Sequence, residues 1–251
     1  MKKKKTIAVW FSCGAASAVA AKKTIEMYGK KALIRVINNP VAEEDADNRR
    51  FLADVEKWLG VEIEIATNPK YKSNSCVEVW EARKFMSGVS GAPCTIELKK
   101  MARQKREEEN RPDYHVLGFT YDERDRARNF RMTERENLIC PLITHKLTKK
   151  DCFSLISDAG IELPRIYKAG YPNANCIGCV KATSPTYWNH VRKMHPEVFA
   201  QRADQSRRLG ARLVRVKGER LFLDELPVDA TGEPMKSMQF ECGIFCEEKI
   251  L

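Results

Sequence analysis

Residues 2–21 read KKKKTIAVWFSCGAASAVAA, and two incompatible structures fit them. Four lysines, an apolar middle and a small-residue ending match a secretory signal cleaved after Ala20. The same letters also spell a strand over residues 6–11, a turn over 12–17 and an Ala-rich helix to about residue 28. In that second reading Ser12, Cys13, Gly14, Ala15, Ala16 and Ser17 let the backbone wrap an anion, with helix N–H groups behind it. The Gly-Lys-Ser/Thr ending of a Walker A loop and the GxGxxG fingerprint are both missing.

The sequence beyond this stretch decides between them. Nine cysteines in 251 residues form an odd set that does not resemble a secreted disulfide framework. A β-rich run at 32–37, a helical pattern at 43–59 with Phe51, Val55 and Leu59 in phase, and another β-rich run at 61–66 follow. That β-α-β-α-β rhythm predicts a doubly wound, mostly parallel sheet with helices on its faces, an α/β fold whose ligands gather along one edge. Cleavage after Ala20 would remove its first strand, so an intact N-terminus and a cytoplasmic protein are expected. Further on, 94–110 reads as a charged helix, 114–120 as a strand and 147–159 as a helix capped by Thr148. No apolar run reaches the length of a membrane span.

From Gly170 the character changes to turns, close cysteines and basic residues. The expected division is a nucleotide-binding domain over 1–169 and a small Cys-containing, basic region over 170–251. The net charge of +10 suits polyanions, whether nucleotides or nucleic acid. Arg202, Arg207, Arg208, Arg212 and Arg215, with Tyr187, Trp188 and Phe199 nearby, make residues 192–220 a candidate nucleic-acid surface.

Cys176-Ile-Gly-Cys179 is a C-x2-C knuckle, and Cys242 and Cys246 form a second close pair. Two such pairs supply four thiolates, enough for zinc or an iron–sulfur cluster, and Cys94 after Pro93 is a further candidate. Cys76, Cys140 and Cys152 sit in apolar settings and read as core residues. Arg124, Arg126 and Arg128 crowd the end of the strand at 114–120, where guanidinium groups clamp phosphate or sulfate. The four histidines show no ligand or triad spacing.

Taken in order, these pieces resemble the sulfonucleotide (PAPS/APS) reductase family, within the PP-loop adenine-nucleotide α-hydrolase-like superfamily. The likeness rests on Ser12–Ser17 after a strand, Pro93-Cys-Thr-Ile-Glu-Leu-Lys-Lys100, Gly118 to Arg128, the run from Pro141 through Gly170-Tyr-Pro172 into Cys176, and Glu241-Cys-Gly-Ile244. The resemblance implies that Ser12, Gly14 and Ser17 hold a phosphate and that backbone near Ile37 and Asn38 meets adenine. Lys99, Lys100, Arg126 and Arg128 would neutralise phosphate and sulfate oxygens, with Gly118 at the strand end. Cys242 would be the nucleophile that attacks sulfate sulfur, and a thiol carrier such as thioredoxin or glutaredoxin would complete reduction to sulfite. Cys94, Cys176, Cys179 and Cys246 would hold a four-iron, four-sulfur (4Fe–4S) cluster, with zinc the alternative; a competing assignment makes Cys242 a ligand.

Three departures mark this chain. Ala16 replaces the Asp of ATP-splitting loops, Cys94 stands alone where cluster-bearing reductases have adjacent cysteines, and a long basic segment separates Cys179 from Cys242. Substrates consistent with the pattern are PAPS, APS or ATP. The other functions are an ATP-dependent iron–sulfur sulfurtransferase acting on tRNA or DNA, and a non-catalytic nucleotide-binding module with structural zinc.

Overall fold

A computed structural model describes residues 4–88 and 91–238 of the chain. Cys242 and Cys246 lie outside the described residues. The elements run β1 (Lys5–Phe11), α1 (Ala15–Tyr28), β2 (Ala32–Asn38), α2 (Asn48–Leu59), β3 (Ile63–Ile65), α3 (Cys76–Arg83), α4 (Met101–Glu109), β4 (Tyr114–Val116), α5 (Arg124–Thr133), β5 (Leu138–Ile139), α6 (Pro141–Thr144), α7 (Lys149–Asp158), α8 (Arg165–Lys168), α9 (Pro185–Met194), α10 (Pro196–Arg208), β6 (Val214–Val216) and β7 (Glu219–Leu221). A π-helical turn, Thr95–Lys100, leads into α4.

The chain divides into two compact units. The first comprises Met1–Pro40, Ala46–Ala66 and Gln104–Arg165; the second comprises Val41–Asp45, Thr67–Arg103 and Ile166–Leu251. The second unit thus takes in 41–45 and 67–103, which a boundary at Gly170 assigns to the first.

The first unit holds a five-stranded sheet in the order β3-β2-β1-β4-β5, parallel throughout. The opening stretch of the sequence is its central strand: β1 pairs with β2 from Lys5↔Ala32 to Phe11↔Asn38, and with β4 on its other side. Removing that strand would strip both neighbours of a ladder partner, and Ile7 to Phe11 of a buried apolar surface. Strand order reverses between β2 and β4 around β1, so the β1–α1 turn sits at the topological switch point where open α/β sheets take their ligands. Helix α1 buries Ala15, Ala18, Val19, Ala20 and Ala21 against the sheet and α7. Small side chains are what allow that close approach.

Two elements differ from their sequence-based bounds. The helix expected over 43–59 begins at Asn48, because Glu43 belongs to the second unit and holds α3 there. The strand expected over 114–120 leaves the ladder after Val116. A Cβ built on Gly118 would lie 2.8 Å from the Ser17 nitrogen, so at Gly118 the chain is pressed against the β1–α1 turn instead. Thr148 caps α7 as expected, in a reciprocal capping box with Asp151.

The second unit is built from α3, α9, α10 and the antiparallel β6–β7 hairpin, around a core of Trp80, Tyr187, Trp188, Val191, Leu213, Val214 and Leu223. Among the described residues no helix is long and apolar enough to cross a membrane.

Candidate functional sites

In the first unit, the carboxyl ends of β1, β2 and β4 bring together Ser12–Ser17, Asn38 and Gly118 as the sequence suggests. Cys13 takes a left-handed φ of 55°, which turns the chain sharply out of β1. The buried Asn38 side chain donates to the Phe11 carbonyl (2.8 Å) and contacts Cys13 Sγ at 3.5 Å, locking the two strand ends together. Ile37 is buried beside it.

The loop's hydroxyls divide their roles. Ser17 is buried; its Oγ donates to the Gly14 carbonyl (2.9 Å) and accepts from the Ser12 backbone N–H (3.2 Å). Ser17 therefore shapes the loop from within. Ser12 is exposed, while Gly14 and Ala16 are half-buried. Outward-facing backbone at the start of a 14-residue helix is suited to an anion. Arg126 and Arg128 follow on α5: Arg126 is bound to Glu123 at 2.7 Å and stacks over Phe119, and Arg128 pairs with Asp125. Both guanidinium groups already face a carboxylate.

Lys99 and Lys100, expected at the nucleotide, belong to the second unit. Lys99 is 9% exposed, pairs with Glu44 at 3.4 Å and lines a cavity with Cys76, Cys94, Cys176 and Cys179. The other lining residues that matter are Trp80 and Lys181. The cavity as folded is about 20 Å³, room for about one water.

Three of the expected ligands, Cys94, Cys176 and Cys179, thus share one wall with Cys76, which the sequence assigns to the core. Cys76 is a buried core residue as the sequence suggests, and it also lines this cavity; its neighbours Cys176 and Cys94, together with burial, push its thiol well above the ordinary range. The Cys76 thiol holds Cys94 below its ordinary range in spite of burial, and the ammonium groups of Lys181 and Lys99 act in the same direction. None of the seven described cysteines forms a disulfide. Cys140 and Cys152 are core residues as expected; burial raises both thiols, Cys152 to about 12.

The scaffold around the thiols is specific. Glu43 accepts from the Cys76 backbone N–H at the start of α3 (2.8 Å), and its own carbonyl accepts from Ile177 N–H inside the knuckle (2.9 Å). One residue therefore ties both cysteine segments. Gly178 turns the knuckle with φ of 69°. The fully buried Tyr187 hydroxyl accepts from Cys179 N–H (2.8 Å) and reaches the Cys176 carbonyl at 3.5 Å. The guanidinium of Arg202 lies 4.7 Å from the centre of the Trp80 ring, itself a cavity wall. Sequence reasoning missed Glu43 and Tyr187, because backbone-bracing contacts carry no spacing signal.

The donor set, four thiols with two lysines, fits a negatively charged thiolate-bound group. Trp80 Nε1–H adds to the fit: it is buried without a hydrogen-bond acceptor on a residue that lines the same cavity. Among the described residues no three His, Cys, Asp or Glu side chains converge, as they stand, tightly enough to hold a metal ion. Loading a group here requires the thiols to turn from one another toward it.

The basic segment needs a further correction. Tyr187 and Trp188 are buried in the core and offer no stacking face. Arg202 is buried, Arg207 pairs with Asp224 and Glu225, Arg208 with Asp204 and Glu81, and Arg192 donates to the Leu226 carbonyl. On and just before the hairpin, Arg212, Arg215, Lys217 and Arg220 are all exposed, alongside the exposed Glu219. Arg215 and Arg220 stand directly opposite each other in its register.

No family model and no curated protein matches the chain. Among solved structures it is similar to the U34-tRNA thiolase NcsA from Methanococcus maripaludis, solved with its 4Fe–4S cluster. That match has a TM-score of 0.43 and 14% identity, over 83% of this chain and 73% of the other.

Proposed function

We propose that the chain is an adenine-nucleotide-dependent enzyme of sulfur transfer that carries an iron–sulfur cluster. The observation that carries this reading is the cavity of the second unit, where four thiols and two lysines meet. Cys94, Cys176 and Cys179 would hold the cluster, which supplies a site for sulfur or electron exchange. Lys99 and Lys181 would offset its negative charge, and the scaffold of Glu43 and Tyr187 would keep the two cysteine segments in place. In the first unit, the Ser12–Ala16 backbone would bind the nucleotide's phosphates beside Asn38 and Gly118, with Ser17 fixing the loop.

The acceptor favoured by the hairpin is a nucleic acid. Like charges directly opposite on an antiparallel ribbon cost stability, and a row of them facing outward suits a phosphate backbone. This is ATP-dependent thiolation of tRNA or DNA: ATP activates the base oxygen, pyrophosphate leaves, and sulfur then displaces AMP. A second reading, thiol-dependent reduction of PAPS or APS to sulfite, is favoured by Ala16, which leaves the loop without the carboxylate of ATP-splitting enzymes. There Cys242 would attack sulfur and a thioredoxin- or glutaredoxin-type carrier would release sulfite.

One assay separates the two. The anaerobically reconstituted chain is given ATP, a sulfide donor and unmodified tRNA or DNA, and separately PAPS or APS with a dithiol carrier. Pyrophosphate with a thiolated nucleoside supports the first reading; sulfite, abolished in Cys242→Ser, supports the second. Neither product in either assay overturns the proposed class.

A further inference from the structure

We propose that Cys76 is the fourth protein ligand of the cluster, completing a set with Cys94, Cys176 and Cys179 that needs neither Cys242 nor Cys246. The proposal rests on the iron–sulfur reading above. It is carried by placement, since Cys76 lines one cavity together with Cys94, Cys176 and Cys179.

Its backbone is held for that position. Cys76 opens α3, with Ser75 capping the helix through its side chain. The Glu43 carboxylate accepts from the N–H groups of Cys76 (2.8 Å) and Val77 (3.4 Å), as an anion at a helix start does. The same residue's carbonyl binds the knuckle at Ile177. A cysteine that merely filled the core would need no such tie to the other thiol-bearing segment. Trp80, one helical turn after Cys76 on α3, brings its buried indole N–H to the same wall. All of these residues lie within the second unit.

The assignment has a consequence for the C-terminal pair. With four thiolates supplied by residues 76–179, the cluster would need no ligand from Cys242 or Cys246.

The test uses the full-length chain purified and reconstituted without oxygen, as wild type and as Cys76→Ala, Cys76→Ser, Cys246→Ala and Cys140→Ala. Iron and labile sulfide per chain, visible absorption and the electron paramagnetic resonance of the reduced protein are read, with circular dichroism to confirm folding. The proposal expects wild-type iron and spectra in Cys246→Ala and Cys140→Ala. It expects Cys76→Ala to lose at least half its iron, and Cys76→Ser to keep its fold but give a shifted resonance signal from oxygen ligation. Full iron with unchanged spectra in both Cys76 variants, or loss of the cluster in Cys246→Ala, overturns it. A wild-type chain that binds no iron overturns the iron–sulfur reading itself, an outcome distinct from either.

Discussion

At the scale of single residues, the two sites depend on side chains that are small or hidden. Gly118 shows it for the phosphate loop: any Cβ there would lie 2.8 Å from the Ser17 nitrogen and 3.0 Å from its Cα. Neither is the movable end of a flexible side chain, so the loop itself must shift. Gly118→Ala should destabilise the protein by about 1–3 kcal/mol, the usual range for overpacking. It should also weaken nucleotide binding at least tenfold, measured by calorimetric titration with ATP or PAPS. Unchanged affinity would mean that the nucleotide does not use this loop. Ser17 carries a parallel lesson. Its hydroxyl looked in the sequence like a phosphate donor, but it is bonded to Gly14 and Ser12. Residue type marked the turn, while burial separates the exposed Ser12 from the buried Ser17.

At the scale of elements, the β6–β7 hairpin is the clearest case of structure refining sequence. Its turn, Lys217-Gly218, has positive φ at both positions, 48° and 91°, the geometry that two-residue hairpins favour. The register then sets Arg215 against Arg220. Arg215→Glu converts a like-charge pair into an opposite one and should hold or raise stability by about 0.2–1 kcal/mol. It should also lower affinity for tRNA and flatten the dependence of binding on salt. Binding and melting temperature moving in opposite directions would identify the hairpin as a contact surface. Equal binding by wild type and variant would exclude it.

Strands β2 and β3 offer a check on the sheet edge. Arg35, reaching across at 2.7 Å, and then Arg106 hold the Glu64 carboxyl down to about 2. A carboxylate whose pKa falls on folding contributes stability that is complete above its unfolded value of about 4.3 and fades as pH drops toward 2. Glu64→Gln should therefore cost about 1–2 kcal/mol at pH 7, allowing for partial solvent screening, and little near pH 2. Denaturant melts at the two pH values measure this. A loss that does not shrink in acid would assign the effect to packing rather than charge.

At the scale of the whole molecule, the sheet was legible because its signals are local and periodic. Apolar runs at β1 and β2, the small-residue turn and the amphipathic face of α2 each predict their own element. The division into units was less so, since Glu43 and residues 67–103 join the second unit through contacts distant in sequence. The cysteine cavity was half legible. The knuckle announces itself by spacing, and Cys94 by its resemblance to a family segment. Cys76 lies in an apolar run and is recognised only when folding brings it to Cys94 and Cys176. The basic segment shows the converse error, for a string of arginines reads as a binding face until its partners Asp224, Glu225, Asp204 and Glu81 are seen. The measurement that tests the central claim most directly is the metal and labile-sulfide content of the full chain prepared without oxygen. The account predicts a brown protein with about four irons and four sulfides per chain; a colourless protein holding one zinc and no iron would contradict it.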